Sequence, residues 1–147
     1  MGQQQLLLLV LGVVIVGLAV VVGINAFSEN QRQSNADAMV TDALRIASDI
    51  QAQALKPEQF GGAGGWENAS DGSDGISWDD LGYSADGDDY ENANGVYQIG
   101  ADVCQNADAG TADYEVWGTN DNTGNDVCVG LSGTSSDDIA TDISYGS

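Results

Sequence analysis

Two cysteines, no histidine, one lysine and a surplus of aspartate limit the chemistry this 147-residue sequence can offer. Without histidine, the usual general base and the Ser-His-Asp relay are missing. Lys56 is the sole amine side chain, and it stands at the end of a helical pattern. Asp79 and Asp80, Asp88 and Asp89, and Asp137 and Asp138 are neighbours in sequence. A catalytic carboxylate pair faces its partner across a substrate at roughly 5–10 Å, which adjacency does not supply. The glycine-rich run 61–65 follows a helix and lacks the Lys-Ser/Thr ending of a phosphate loop. These absences point away from an enzyme. Cys104 and Cys128, the only two cysteines, read as one disulfide formed in an oxidising compartment, with two reduced buried thiols as the alternative. No CxxC spacing accompanies them that would mark a zinc site.

The carboxylates raise one metal question. Asp71 with Asp74, Asp86 with Asp88, and Asp121 between Asn120 and Asn122 gather oxygens suited to calcium. None fits the calcium-loop pattern of alternating ligands, a central glycine and a final glutamate, so no metal site is assigned and calcium stays a weakly supported cofactor. The broader reading is electrostatic. The net charge is −20, and Arg32, Arg45 and Lys56 are the only cations, all before residue 57. Such a chain offers no basic surface to nucleic acid. Its self-repulsion is relieved where salt shortens the Debye length, so adaptation to concentrated brine is the expected meaning of the aspartate excess. Asn68-Ala69-Ser70 is an N-glycosylation acceptor triplet, a pattern that also arises by chance. Trp66, Trp78 and Trp117 are expected to pack in the core, with surface adhesion as the other use for them.

The elements that carry these residues fall into three parts: 1–26, 27–56 and 57–147. From Leu6 to Ala26 the sequence has no charge, and its length matches a bilayer core of about 30 Å at about 1.5 Å per residue. A removable signal peptide would bring a basic start and a shorter apolar run. The sequence shows neither, and no Gly or Pro interrupts Phe27 to Leu55. The helix is therefore expected to continue from about Gln3 to Leu55, roughly 80 Å at 1.5 Å per residue. In its second half Ala36, Met39, Val40, Ala43, Ala47, Ile50 and Ala54 recur at helical spacing, while Asp42, Arg45, Asp49 and Gln53 occupy other faces. Asp42 and Asp49 are each placed to pair weakly with Arg45. Lys56-Pro57 and the glycines end the helix.

Beyond it, period-two alternation marks strands at Tyr97–Val103, around Tyr114 and Val116, at Val127–Leu131 and at Ile139–Tyr145. Turn-rich segments at 106–110 and 120–126 separate them. Ile76, Trp78, Leu81 and Tyr83 are expected to cover the helix from a loop or short strands. The fold class is α+β: a long N-terminal helix packed against a small antiparallel sheet of three or four strands.

A short polar start, an unbroken apolar helix, an amphipathic continuation and a β-rich head with a late cysteine pair resemble a type IV pilin. The opening Gly2-Gln3-Gln4-Gln5-Leu6 also resembles a group of bacterial pilin-like proteins. The resemblance covers residues 1–57 well and the head in outline. It implies a membrane-inserted precursor in the inner membrane, cut by a prepilin peptidase at Gly2–Gln3, or already mature at Met1. N-methylation would follow, and a pilus assembly machinery would build a homopolymer that becomes an extracellular surface filament. It also implies an assembly core of Leu6, Leu9, Gly12, Val13, Val16, Gly17, Val20 and Gly23, where small residues let helices approach closely. The sequence departs from the family at the fifth mature position, usually Glu, where it has Gln5 or Leu7 according to the start. Gln hydrogen-bonds an ammonium without the strength a charge gives. The chain is also read as a single-span anchored surface protein with an ion- or ligand-binding head, or as a minor pseudopilin. The position of Arg32 after the span favours a cytoplasmic head; the cysteines and the acidic head outweigh it.

Overall fold

The computed structural model describes residues 2–70, 75–105 and 112–145. It is α+β, a long N-terminal helix with a five-stranded antiparallel sheet, an arrangement compatible with a pilin-like fold. Helix α1 spans Gly2–Leu55. The chain divides into two compact units, Met1–Ser34 and Asn35–Ser147, and the second takes in the last part of α1.

Within the second unit, α1 buries Ala36, Met39, Ala43, Ile46, Ala47, Ile50 and Ala54. The expected stripe is therefore present with two adjustments: Ile46 joins it, and Val40 is only half-buried. Four of the seven buried residues are alanine, and their small side chains let the helix sit close to the sheet. The larger Met39, Ile46 and Ile50 fill the gaps, each contributing about 1.5–3 kcal/mol by leaving water.

The sheet is a simple meander in the order β1 (Asp89–Glu91), β2 (Val96–Gly100), β3 (Tyr114–Asn120), β4 (Asn125–Leu131) and β5 (Ile139–Ser144). Tyr97, Val116, Val127, Val129 and Leu131 are buried in the cluster with the helix stripe. Alternation places Cys128 on the opposite face, as its parity implied. Gly118 pairs with Tyr97, and the Tyr97 ring lies over it: a Cβ at 118 would stand 2.8 Å from Tyr97 Cε1. Two expectations about strands change. The second strand ends at Gly100, because Asp102 turns the chain with φ 55° and leaves Ala101 exposed. A fifth strand, β1, comes from the stretch read as loop.

That stretch also contains two short helical turns, α2 (Trp66–Ala69) and α3 (Trp78–Leu81). Ser77 caps α3, its backbone N–H and hydroxyl both donating to Asp80 Oδ2 at 3.0 and 2.6 Å. Those bonds, the hydroxyl's first, hold the Asp80 carboxyl below its ordinary pKa. Trp78 is buried and meets Tyr83 and Tyr90 with ring centroids 5.7 and 5.4 Å apart. Tyr90 continues the cluster to Tyr97 at 6.2 Å. The expected covering of the helix by Ile76, Trp78, Leu81 and Tyr83 is thus present, as an aromatic layer.

Two carboxylates of α1, Asp42 and Asp49, face this layer and the loop beside it. Asp42 Oδ2 accepts from Asn92 Nδ2, Asn94 Nδ2 and Tyr97 Oη at 2.9, 2.7 and 3.2 Å, and Asp49 accepts from Tyr83 Oη at 2.7 Å. The weak pairs expected with Arg45 give way to bonds that tie the helix to the head. Asn35 adds another tie, donating to Asn94 O at 3.0 Å and accepting from Thr123 Oγ1 at 2.9 Å.

Two predictions follow from this packing. Gly118→Ala drives a methyl into the Tyr97 ring and lowers unfolding stability by about 1–3 kcal/mol, read from urea midpoints; an unchanged midpoint contradicts the packing. Burial, then the bond to Asp49, pushes the Tyr83 phenol up to about 12. Burial, then the charge of Asp80, pushes Tyr114 up to about 12, and burial and Asp42 raise Tyr97. Unfolded phenols titrate near 10, so this stabilisation is complete below about pH 10 and is lost as pH rises towards 12. Phenolate absorbance at these tyrosines should appear together with unfolding. Its appearance near pH 10 in a folded head would contradict the burial.

Candidate functional site

The first unit carries the feature that asks for a partner. Sixteen large apolar side chains between Leu6 and Phe27 are each 51–70 % exposed, Leu6, Leu9, Val13, Val16 and Val20 among them. They lie on every side of the helix. An amphipathic surface helix shows one apolar stripe, and one apolar all round belongs in a membrane or a protein core. α1 is the one helix among the described residues long and apolar enough to cross a membrane, by length and composition, and its apolar window is wholly uncovered.

The glycines sharpen the point. A Cβ at Gly12, Gly17 or Gly23 would meet nothing within 4 Å. Each costs the helix about 1 kcal/mol relative to alanine, and no contact within the described chain requires any of them. Gly118 shows the contrast, since the Tyr97 ring crowds it. Gly2 and Gln3 lie in the first turn of α1, exposed, with no acidic side chain in that turn.

The cysteines form the disulfide: Cys104 and Cys128 are joined with Cα atoms 5.8 Å apart. It staples the segment after β2 to the outer face of β4. Glu115, on the neighbouring strand, is only 7 % exposed and accepts the Cys104 N–H at 3.0 Å. These two sulfurs and the Glu115 carboxylate make up the one group of three metal-ligand types among the described residues, all within 4.8 Å of one another. The sulfurs are bonded to each other, so the group acts here as a cross-link. Sequence gave no sign of Glu115, which alternates with Tyr114 and Val116 as a solvent-facing residue would.

The other expected positions are spread out. Asp86, Asp88 and Asp121 are exposed, and the structure places them in no cluster of three carboxylates among the described residues. The candidate at Asp71 and Asp74 and the turn at 106–110 lie outside the described residues. Asn68 is exposed on α2, with its Nδ2 donating to Ala63 O at 3.0 Å. Of the tryptophans, Trp78 is core; Trp66 is half-buried and donates to Asp113 Oδ2 at 3.2 Å. Trp117 is half-buried, its indole nitrogen shielded and without a hydrogen-bond acceptor. No family model matches the chain, and no curated protein or solved structure matches it.

The staple generates a prediction. Replacing both Cys104 and Cys128 by Ser frees a loop of 24 residues' separation and should lower stability by about 3 kcal/mol in urea unfolding of the full chain. A loss below about 1 kcal/mol would show that the sheet holds this segment without it.

Proposed function

We propose that the chain is the structural subunit, a major pilin, of an extracellular type IV pilus-like filament. The observation that carries this reading is the apolar helix half, exposed on all sides and punctuated by glycines with open surroundings. A bilayer would cover it before assembly, and the same halves of sibling chains would cover it afterwards. The hydrophobic requirement is met in both places, so transfer between them needs no refolding. Leu6, Leu9, Val13, Val16 and Val20 would form the core, and Gly12, Gly17 and Gly23 would set the closest helix approaches. In this reading the acidic second unit faces solvent and keeps filaments soluble and apart. The role is structural, with no cofactor and no nucleic-acid binding by the single subunit. Processing at Gly2–Gln3 by a prepilin peptidase and handling by an assembly machinery belong to the same proposal.

A second reading has its own support. Length and composition alone fit a single-span anchor that stays in the membrane. The open surroundings of Gly12, Gly17 and Gly23 support the filament reading, in which helices approach closely, although glycine is also common in single membrane spans.

Material sheared from cells, studied by electron microscopy and mass spectrometry, should yield filaments dominated by this chain. Gly17→Leu should cut their yield at least about tenfold, equivalent to about 1.4 kcal/mol per contact, while the head's unfolding midpoint stays unchanged. A chain recovered only with detergent-solubilised membrane would establish the anchor reading.

A further inference from the structure

Asn94-Gly95 is the only Asn-Gly pair in the sequence. Such a pair is chemically labile, because glycine has no Cβ to keep its backbone nitrogen away from the preceding side-chain amide. The Gly95 nitrogen gives up its proton and attacks Asn94 Cγ. The Cγ–Nδ2 bond breaks, and the amide nitrogen leaves as ammonia, taking a proton with it. Water then opens the five-membered succinimide that remains. Attack at Cγ gives aspartate, and attack at the main-chain carbonyl gives isoaspartate. One water is consumed and one ammonia released, with no oxidation or reduction. Packing keeps the glycine in place: a Cβ at position 95 would stand 2.6 Å from Thr119 O and 3.3 Å from Met39 Cε.

The fold engages both reacting groups elsewhere. Asn94 Nδ2, the leaving group, donates to Asp42 Oδ2 at 2.7 Å. The Gly95 N–H, the nucleophile, donates to Asn92 Oδ1 at 3.2 Å, and the Asn94 N–H does so at 2.8 Å. Asn94 O, the peptide oxygen between the two groups, accepts from Asn35 Nδ2 at 3.0 Å and from Asn120 Nδ2 at 2.6 Å. Asn35 and Asp42 belong to α1 and Asn120 ends β3, so these ties are tertiary. Swinging Cγ over the Gly95 nitrogen breaks the bond to Asp42, and the two carbonyl bonds resist the backbone rotation that ring closure requires. Those two donors also ease deprotonation of Gly95, but a nitrogen that does not reach Cγ gains nothing from it. Ring closure therefore waits for residues 92–95 to lift from the helix, a local opening.

We propose that Asn94 is a self-modification site gated by the docking of residues 92–95 on α1: it deamidates when this loop lifts, and the product keeps the loop from returning. Deamidation puts a carboxylate where an amide donor stood. Asp42 then faces a like charge in place of a hydrogen bond. Isoaspartate also lengthens the backbone by one methylene, next to a glycine whose surroundings leave no room for a Cβ. Ammonia is lost to solution, so each opening that reacts is recorded in the chain. The inference does not rest on the filament reading. It concerns how firmly the second unit grips its own part of α1.

The test holds the full chain in detergent micelles at mildly alkaline pH, with and without urea, and follows aspartate and isoaspartate at position 94 by peptide mass spectrometry. The reaction should run at least about tenfold faster in urea. Asn35→Ala removes one of the ties and should speed it about tenfold without urea. Chains that have reacted in urea and been refolded should unfold at a lower urea midpoint than unreacted chains, and so should Asn94→Asp. Equal rates with and without urea overturn the gating, as does a folded N35A chain that reacts at the wild-type rate. Reacted chains and N94D with the midpoint of the unreacted chain overturn the claim that the product keeps the loop out. The urea comparison uses the unsubstituted chain, so it decides the gating even where N35A does not fold.

Discussion

A helix that is apolar on every side needs cover, and from Leu6 to Phe27 the described chain provides none. Exposed apolar area on a soluble monomer seldom exceeds a few hundred Å² in one patch. Here sixteen large side chains form one unbroken surface. Water is the wrong solvent for it, and only a bilayer or other protein can take water's place. The rest of the molecule is arranged around that requirement. The polar residues that follow are what allow the same helix to serve a folded, water-exposed unit from Asn35 onwards.

That second unit solves a different problem. A domain of this size with many aspartates has little apolar area to spare, and its charges repel. Close approach of an alanine-rich helix stripe to the sheet makes the most of the area available. Three devices then hold the pieces. Asp42, Asp49 and Asn35 turn polar helix residues into hydrogen-bonded anchors for the head. The aromatic layer of Trp78, Tyr83, Tyr90 and Tyr97 seals one side. The Cys104–Cys128 bond secures the opposite face of the sheet, where a connection would otherwise be free to lift. The second unit therefore stands on ordinary packing chemistry, in a chain dominated by negative charge.

The legible and illegible parts of this fold separate by the range of the interactions involved. Helical spacing revealed the buried stripe because 3.6-residue periodicity is a local pattern, and Pro57 marked its end for the same reason. Alternation revealed β3, β4 and β5 and the parity of Cys128. β1 escaped because Asp89-Tyr90-Glu91 is short and charged, and only its pairing with Tyr97 and its neighbours makes it a strand. Asp42 and Asp49 read as weak partners of the nearby Arg45 because their actual hydrogen-bond partners lie 34 to 55 residues away. Glu115 was hidden likewise: its burial depends on what the rest of the chain covers. The apolar helix half was fully legible, since absence of charge over its whole length needs no tertiary context.

The central claim is that sibling helices replace lipid around residues 6 to 26. Helical reconstruction of sheared, detergent-free filaments tests it most directly. The account predicts apolar helix halves packed against one another near the axis, closest at Gly12 and Gly17, with no lipid density between them. Particles in which each helix stands alone in lipid would contradict it.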